Sequence, residues 1–391
     1  MNKSIAVEKD IAVIGMSSMF AKAVNLDEYW KNIVEEINCI TEVPEDRWKI
    51  SDYYSANPGE PDKTYSKVGG FIPDINFNPM EFGLPPNIIE LTDSAQLLSL
   101  VAAKAALDDA GYWQNDKFTK DVRQRTGVVL GVGGGQKLLT TLASRLQYPV
   151  WEKTLRAYGI PENDLAVVIE HMKSAYTKWE ENSFPGLLGN VIAGRITNRF
   201  DLGGTNCVVD AACATALSAI KMAVMELQLG HVDMILTGGV DTDNSPVMYL
   251  SFSKTPAFSP KNQIRPFDNE SDGIVIGEGI GLVVLKRLSA AVRDGDKIYS
   301  VIKGIGSSSD GKNKSIYAPQ SSGQSLALKR TYEQAGYSMN TVGLIECHGT
   351  GTSTGDPSEF DSLKIEMASQ PAEKQSIALG SVKSQIGHTK S

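Results

Sequence analysis

Short apolar, β-branched runs alternate along this chain with longer stretches whose apolar positions recur at helical spacing. The strand-like runs are IAVIG (11–15), TGVVLGV (126–132), CVVD (207–210), MILTGG (234–239) and IGLVVLKRL (280–288). They continue with IYSVIKGIG (298–306), VGLIECHG (342–349) and SIALGSVKS (376–384). Helical spacing covers residues 93–110, 214–229 and 324–335. In the second of these, Leu217, Ile220, Val224 and Leu227 form one stripe, widened by Ala216 and Ala223. Such alternation predicts a layered α/β architecture with mostly parallel strands. Residues 136–189 read differently, as polar, aromatic helical sequence (SRLQYPVWEKTLRAYGIPENDL), and are expected to form an insertion that builds a rim or interface.

The junction between the CVVD run and the helix after it carries a cysteine, Cys213, among Ala211, Ala212 and Ala214. At or just before a first helical turn, unpaired N–H groups and the positive end of the helix dipole favour a thiolate over a thiol. Small neighbours leave the sulfur approachable. A free cysteine is also commonly a small buried hydrophobe, and the stretch alone leaves both readings open.

Composition narrows the choice. The 391 residues are 41% hydrophobic and 21% charged, with 36 Gly and 17 Pro, as expected of a globular α/β chain with a sizeable core. A net charge of -8 without any basic run gives no nucleic-acid surface. Cys39, Cys207, Cys213 and Cys347 have neither paired nor zinc-ligand spacing, which predicts free thiols in a reducing, cytoplasmic setting and no metal. No signal core and no membrane-length apolar stretch stands out.

Two glycine-rich loops invite a nucleotide reading and fail on detail. GVGGGQ (131–136) has Gln136 where a dinucleotide fingerprint needs a small residue. GSSSDGKN (306–313) has Asn313 where a phosphate loop needs Ser or Thr, and Asp310 would repel phosphate. Of the histidines, His171 falls in a polar helical pattern and His231 follows Gly230 at a helix end, both structural positions. His348 and His388 differ: each follows a strand-like run that reads as buried, in a glycine-flanked loop where α/β folds place chemistry. A cysteine nucleophile and two such histidines point to acyl transfer to sulfur.

At these segments the chain resembles a known family. DAACATAL, ECHGTGT and SVKSQIGH are similar, in order, to the three active-site motifs of β-ketoacyl synthases. NVIAGRITNRFDLGG (190–204) and IRPFDNESDGIVIGEGIG (264–281) match the family's other landmarks. DAACA, SRLQYPVWEK, WEENSFPGLLGNVIAGRI and DNSPVMYLSFSKTPAFS resemble the N-terminal ketosynthase of polyunsaturated fatty acid synthases or of related polyketide synthases. The resemblance implies a thiolase-like fold, with duplicated βαβαβ halves in five layers and usually dimeric. Residues 1–290 would form the N-terminal half and 291–391 the C-terminal half.

Residue by residue, the resemblance makes Cys213 the acceptor of an acyl chain from an acyl carrier protein. It makes His348 and His388 the hydrogen-bond donors to a malonyl-derived enolate, and Lys383, on the strand leading to His388, the group that orients them. Thr350 and Thr352 would contact the pantetheine arm. No metal or redox cofactor is implied; neighbouring acyltransferase and ketoreductase domains are. Three departures stand out. Cys347 replaces a small residue and is expected to be buried and inert. Lys390 stands where an acidic residue is common. Relatives continue to a glycine-rich GFG loop that completes the oxyanion hole, so the C-terminal half is expected to be truncated here. Rival readings are a non-catalytic fragment or scaffold, and a decarboxylase or cysteine hydrolase. Retained Cys213 argues against pure decarboxylation, and no Asp or Asn is evidently placed to orient a hydrolytic histidine.

Overall fold

The computed structural model describes residues 8–133, 137–312, 315–368 and 373–391. Parts of both glycine-rich loops (residues 134–136 and 313) and the first seven residues lie outside the described residues. Strands β1 (Ile11–Phe20), β2 (Thr126–Val132), β3 (Asn206–Val209), β4 (Met234–Asp241), β5 (Gly279–Arg287) and β6 (Ser300–Ile302) form the main sheet. Their spatial order is β3-β2-β4-β5-β1-β6. Pairing is parallel across β3-β2-β4 and antiparallel across β4-β5, β5-β1 and β1-β6. The expected mostly parallel sheet is therefore corrected to a mixed one. Its physical reason is connectivity: β5 returns antiparallel beside β4 without the parallel crossover that the alternating pattern implied, and β1 lies antiparallel between β5 and β6.

Side-chain alternation along the strands splits the core in two. Ala12, Ile14, Val128, Leu130, Leu236 and Val284 pack on one face against helix α1 (Ser94–Asp109). Ile11, Val13, Val129, Ile235 and Leu285 pack on the other against Ala219, Ala223, Val224 and Leu227 of helix α2 (Thr215–Gln228). Both faces being covered, the strands read as continuous apolar runs. Asp93 caps α1 by accepting from Ala95 N at 3.0 Å. Gly131 lets the start of α2 approach β2: a Cβ there would lie 2.8 Å from Thr215 backbone atoms.

Beyond the main sheet, helices α3 (Ser321–Ala335) and α4 (Gly355–Met367) flank a two-stranded parallel sheet of β7 (Leu344–Glu346) and β8 (Ala378–Gly380). Ile345 and Cys347 face inward with Met339 and Leu363. The runs before the two histidines are thus only half-covered rather than buried: Leu344 is 65% exposed, because among the described residues no layer lies over that outer face. Helices Lys137–Arg145, Tyr148–Ala157 and Glu162–Ser174 occupy the region that reads as an insertion, with His171 exposed on the third.

Candidate active site

Cys213 sits in a single 3-10 turn, Ala212–Ala214, that leads from β3 into α2. The turn is strained: Ala212 adopts a left-handed φ of 49°, a conformation costing about 1–2 kcal/mol for an L-residue. Thr215 and Asp210 hold it. Ala211 N donates to Thr215 Oγ1 at 2.7 Å and Ala212 N donates to Asp210 Oδ1 at 3.0 Å. Strain held in this way, beside an exposed cysteine, is a usual mark of a functional turn.

The other two motifs converge on this turn. His388 Nε2 lies 3.2 Å from Cys213 Sγ. The His348 and His388 rings meet edge-on at 5.3 Å and 87°, and ligating atoms of all three residues lie within 4.8 Å of one another. His388 is placed by a parallel bridge to Ile276, with His388 N donating to Val275 O at 2.7 Å and Gly277 N donating to His388 O at 2.8 Å. His348 is placed by Glu359 of α4, whose carboxylate accepts from His348 N at 2.7 Å and Gly349 N at 2.8 Å. Thr350 and Thr352 lie on the same loop with their hydroxyls 3.3 Å apart, and Thr352 Oγ1 also accepts from Gly355 N at the start of α4.

Lys383 does not extend a strand, as its sequence context implied. It opens a one-turn helix, α5 (Lys383–Ile386), because Val382 O accepts from Gln385 N and Ile386 N and so turns the chain after β8. Burial lowers the Lys383 ammonium, opposed by the Glu346 and Glu359 carboxylates. Its charge acts on all three reactive groups, lowering the Cys213 thiol and both imidazoles.

Protonation follows from these surroundings. Protein packed around His348, although solvent reaches the residue, pushes its imidazole down to about 4, and the Lys383 charge acts in the same direction. His388 is driven well below its ordinary value by burial first, then by His348, Lys383 and Lys390. Both rings are neutral near pH 7. Lys390 N donates to His388 Nδ1 at 3.0 Å, so the ring proton is assigned to Nε2, facing the sulfur. The expectation of a helix-favoured thiolate at Cys213 is corrected. Protein packed around Cys213, although solvent reaches the residue, raises the thiol above its ordinary value, and this outweighs its own backbone N–H and Lys383, which lower it. The resting group is a thiol beside a donor. Cys347 is buried with its thiol pushed up to about 12, as its context implied.

A cysteine and two histidines at this spacing match a metal-ligand set in number only. Metal at His388 Nε2 would move the ring proton to Nδ1, where it would oppose the Lys390 N–H. The donor set fits hydrogen bonding to an oxyanion.

The chain matches the β-ketoacyl synthase N-terminal domain over residues 8–291 and the β-ketoacyl synthase C-terminal domain over residues 299–391. It belongs to the β-ketoacyl synthase family. It is 47% identical over 382 residues to one of the subunits of the polyunsaturated fatty acid synthase from a Thraustochytrium species, covering 97% of this chain and 13% of that one. Among solved structures it is similar to the ketosynthase from module 6 of the bacillaene synthase of Bacillus subtilis 168, with TM-score 0.80 and 31% identity over 97% of this chain and 58% of that one. It is also similar to the PfaC keto synthase-chain length factor, with TM-score 0.84 and 32% identity over 97% of this chain and 40% of that one. The fold is thus the thiolase-like α/β fold of ketosynthases, a family of acyl-transferring, condensing enzymes. The chain spans about an eighth of the curated relative at 13%.

Sequence reasoning missed Glu359 and the Asp241–Asn244 pair that receives Lys390. For Glu359 a signal existed: an acidic residue early in the helix after GTGTSTGDP is placed to reach back to the loop's N–H groups. Asp241 and Asn244 lie about a hundred and fifty residues from Lys390, and no local pattern links them.

Proposed function

We propose that this chain is the condensing domain of a larger polyunsaturated fatty acid or polyketide synthase, joining a malonyl unit to an acyl group held on Cys213. The observation that carries the reading is the 3.2 Å contact between Cys213 Sγ and a neutral His388 whose proton faces it. In loading, Cys213 sulfur attacks the acyl thioester of an acyl carrier protein; the phosphopantetheine thiol leaves and takes the cysteine's proton. Malonyl carrier protein then replaces it. The bond to the terminal carboxylate breaks, carbon dioxide departs, and its electron pair forms an enolate whose oxygen accepts from the His348 and His388 N–H groups. The enolate carbon attacks the Cys213 thioester, the sulfur is expelled and takes up a proton, and a β-ketoacyl thioester two carbons longer remains on the carrier.

Neutral imidazoles suit this role, because an imidazolium would transfer its proton to the enolate and quench it. Lys383 supports both halves electrostatically, disfavouring imidazolium and favouring the thiolate leaving group. Thr350 and Thr352, on the His348 loop, each retain hydroxyl capacity for the pantetheine arm. Carbon dioxide loss drives the step, so no metal or redox cofactor enters. Carrier protein, acyltransferase and ketoreductase partners are supported by the multidomain length of the relatives, and a homodimer by the family resemblance. Four free thiols suit a cytoplasmic location, and no helix among the described residues is long and apolar enough to cross a membrane.

The test is product formation. Acyl-phosphopantetheine thioester plus isotopically labelled malonyl carrier protein should yield β-ketoacyl carrier protein and carbon dioxide in equal amounts. Carbon dioxide release without the ketoacyl product would establish decarboxylation alone and refute the proposal.

A further inference from the structure

Lys390 has a buried side chain with three partners. Its Nζ lies 3.1 Å from Asp241 Oδ1, 2.9 Å from Asn244 Oδ1 and 2.8 Å from Gly277 O. The Lys390 and Asp241 side chains are 6% and 4% exposed. The socket is itself anchored, since Asn244 Nδ2 donates to Gly70 O at 3.0 Å and Asp241 ends β4. Gly277 connects it to the site by donating to His388 O. At the same time the Lys390 backbone is left-handed, with φ 67°, a conformation that is energetically costly for an L-residue. In that conformation its N–H reaches His388 Nδ1 at 3.0 Å.

We propose that Lys390 is the positioning residue that sets the tautomer of His388: its ammonium, locked in the Asp241–Asn244–Gly277 socket, holds the left-handed turn that aims the Lys390 N–H at His388 Nδ1. The ring proton is thereby kept on Nε2, facing Cys213. Without the anchor, an L-residue here relaxes to the right-handed side and the N–H leaves Nδ1, whereas glycine carries no such bias. The imidazole proton then divides between the two nitrogens, and one donor to the enolate is lost part of the time. The inference rests on the donor role given to His388 above.

The test separates backbone conformation from packing. Lys390→Gly removes the whole side chain yet permits a left-handed φ, whereas Lys390→Val keeps more bulk and opposes it. Both are made alone and with Asp241→Asn, so that a buried unpaired carboxylate does not decide the outcome. Nitrogen NMR of labelled imidazole reads the His388 tautomer, and malonyl-dependent elongation gives kcat and KM.

Positioning predicts that the Gly variants, which lose the anchor but pay no penalty for a left-handed φ, keep more of the Nε2–H tautomer and of kcat than the Val variants. The Val variants show mixed tautomers and lose about tenfold in kcat with KM little changed, short of the hundredfold typical of deleting an oxyanion donor. A packing role predicts the reverse order, with Gly worse than Val. That order, or a Val variant with intact tautomer and kcat, overturns the proposal. Parental elongation by His388→Ala would instead refute the donor role beneath it, while leaving the measured tautomers to judge the anchor.

Discussion

Gly277 is where a single methyl group should disable the site without touching a reactive atom. A Cβ at this position would lie 2.5 Å from Ile386 O, with Gly387 C and Cα at 3.3 and 3.4 Å. Restoring ordinary contact with the carbonyl oxygen needs about 0.9 Å of separation, and backbone yields less readily than a side chain. The segment that must move is the one carrying His388, held to Gly277 by Gly277 N donating to His388 O at 2.8 Å and Lys390 Nζ donating to Gly277 O at 2.8 Å. A shift of that size away from the cysteine would stretch the 3.2 Å Nε2–Sγ contact past hydrogen-bond range. Misplacement by about 1 Å costs on the order of a hundredfold in rate, and overpacking costs about 1–3 kcal/mol in stability. Gly277→Ala should therefore fold with a lowered melting temperature, still accept an acyl group on Cys213 by intact mass, and lose about a hundredfold in malonyl-dependent elongation. Gly59→Ala, whose nearest neighbour would be Asn57 Oδ1 at 3.4 Å, serves as control and should change neither. Elongation by Gly277→Ala within about threefold of the parental rate would refute the geometric reasoning.

Further outcomes follow from the same geometry. Cys213→Ala should abolish acyl loading, whereas Cys39→Ala, Cys207→Ala and Cys347→Ala should not, since of the four only Cys213 meets an imidazole; peptide mass spectrometry locates the acyl group. Ala212→Gly should be tolerated and Ala212→Val should slow loading, because the left-handed φ of 49° penalises a β-branched side chain; single-turnover loading rates check this. Elongation should persist as pH falls past the ordinary histidine range and fail as it approaches about 4, where His348 protonates, read from the acidic limb of the pH–rate profile. Stability moves the same way. The unfolded chain takes up this proton near the ordinary histidine value and the folded one only near 4, so His348 destabilises the fold progressively across that window as pH is lowered. Urea midpoints of the parent and of His348→Ala at both ends of the window measure the difference.

Much of the site is legible in the sequence because its chemistry is carried by local patterns. A cysteine at a strand-to-helix junction and histidines in glycine-flanked loops are visible without a fold, and the structure brings these three together. Strand positions also follow from the apolar runs, since both faces of the main sheet are covered. Strand direction does not, because β5 and β1 carry the same β-branched signal whether they pair parallel or antiparallel. The state of the thiol escapes the sequence for a related reason. Helix position is local and readable, whereas groups that surround the Cys213 thiol, His388 and Lys383 among them, come from far along the chain. Lys383 reads as strand because the run before it is apolar, yet the carbonyl of Val382 closes a turn there. Asp241 and Asn244 reach Lys390 only through the fold.

The central claim is that Cys213 holds the acyl chain and both histidines act on the malonyl-derived enolate. Trapping that intermediate tests it most directly: acylate the protein with an acyl-phosphopantetheine thioester, add malonyl carrier protein, and follow the mass of the Cys213 peptide with time. The account predicts an acyl adduct on Cys213 that is discharged by malonyl carrier protein in the parent and persists in His348→Ala and His388→Ala. An adduct on another residue, or discharge at the parental rate without either histidine, would contradict it.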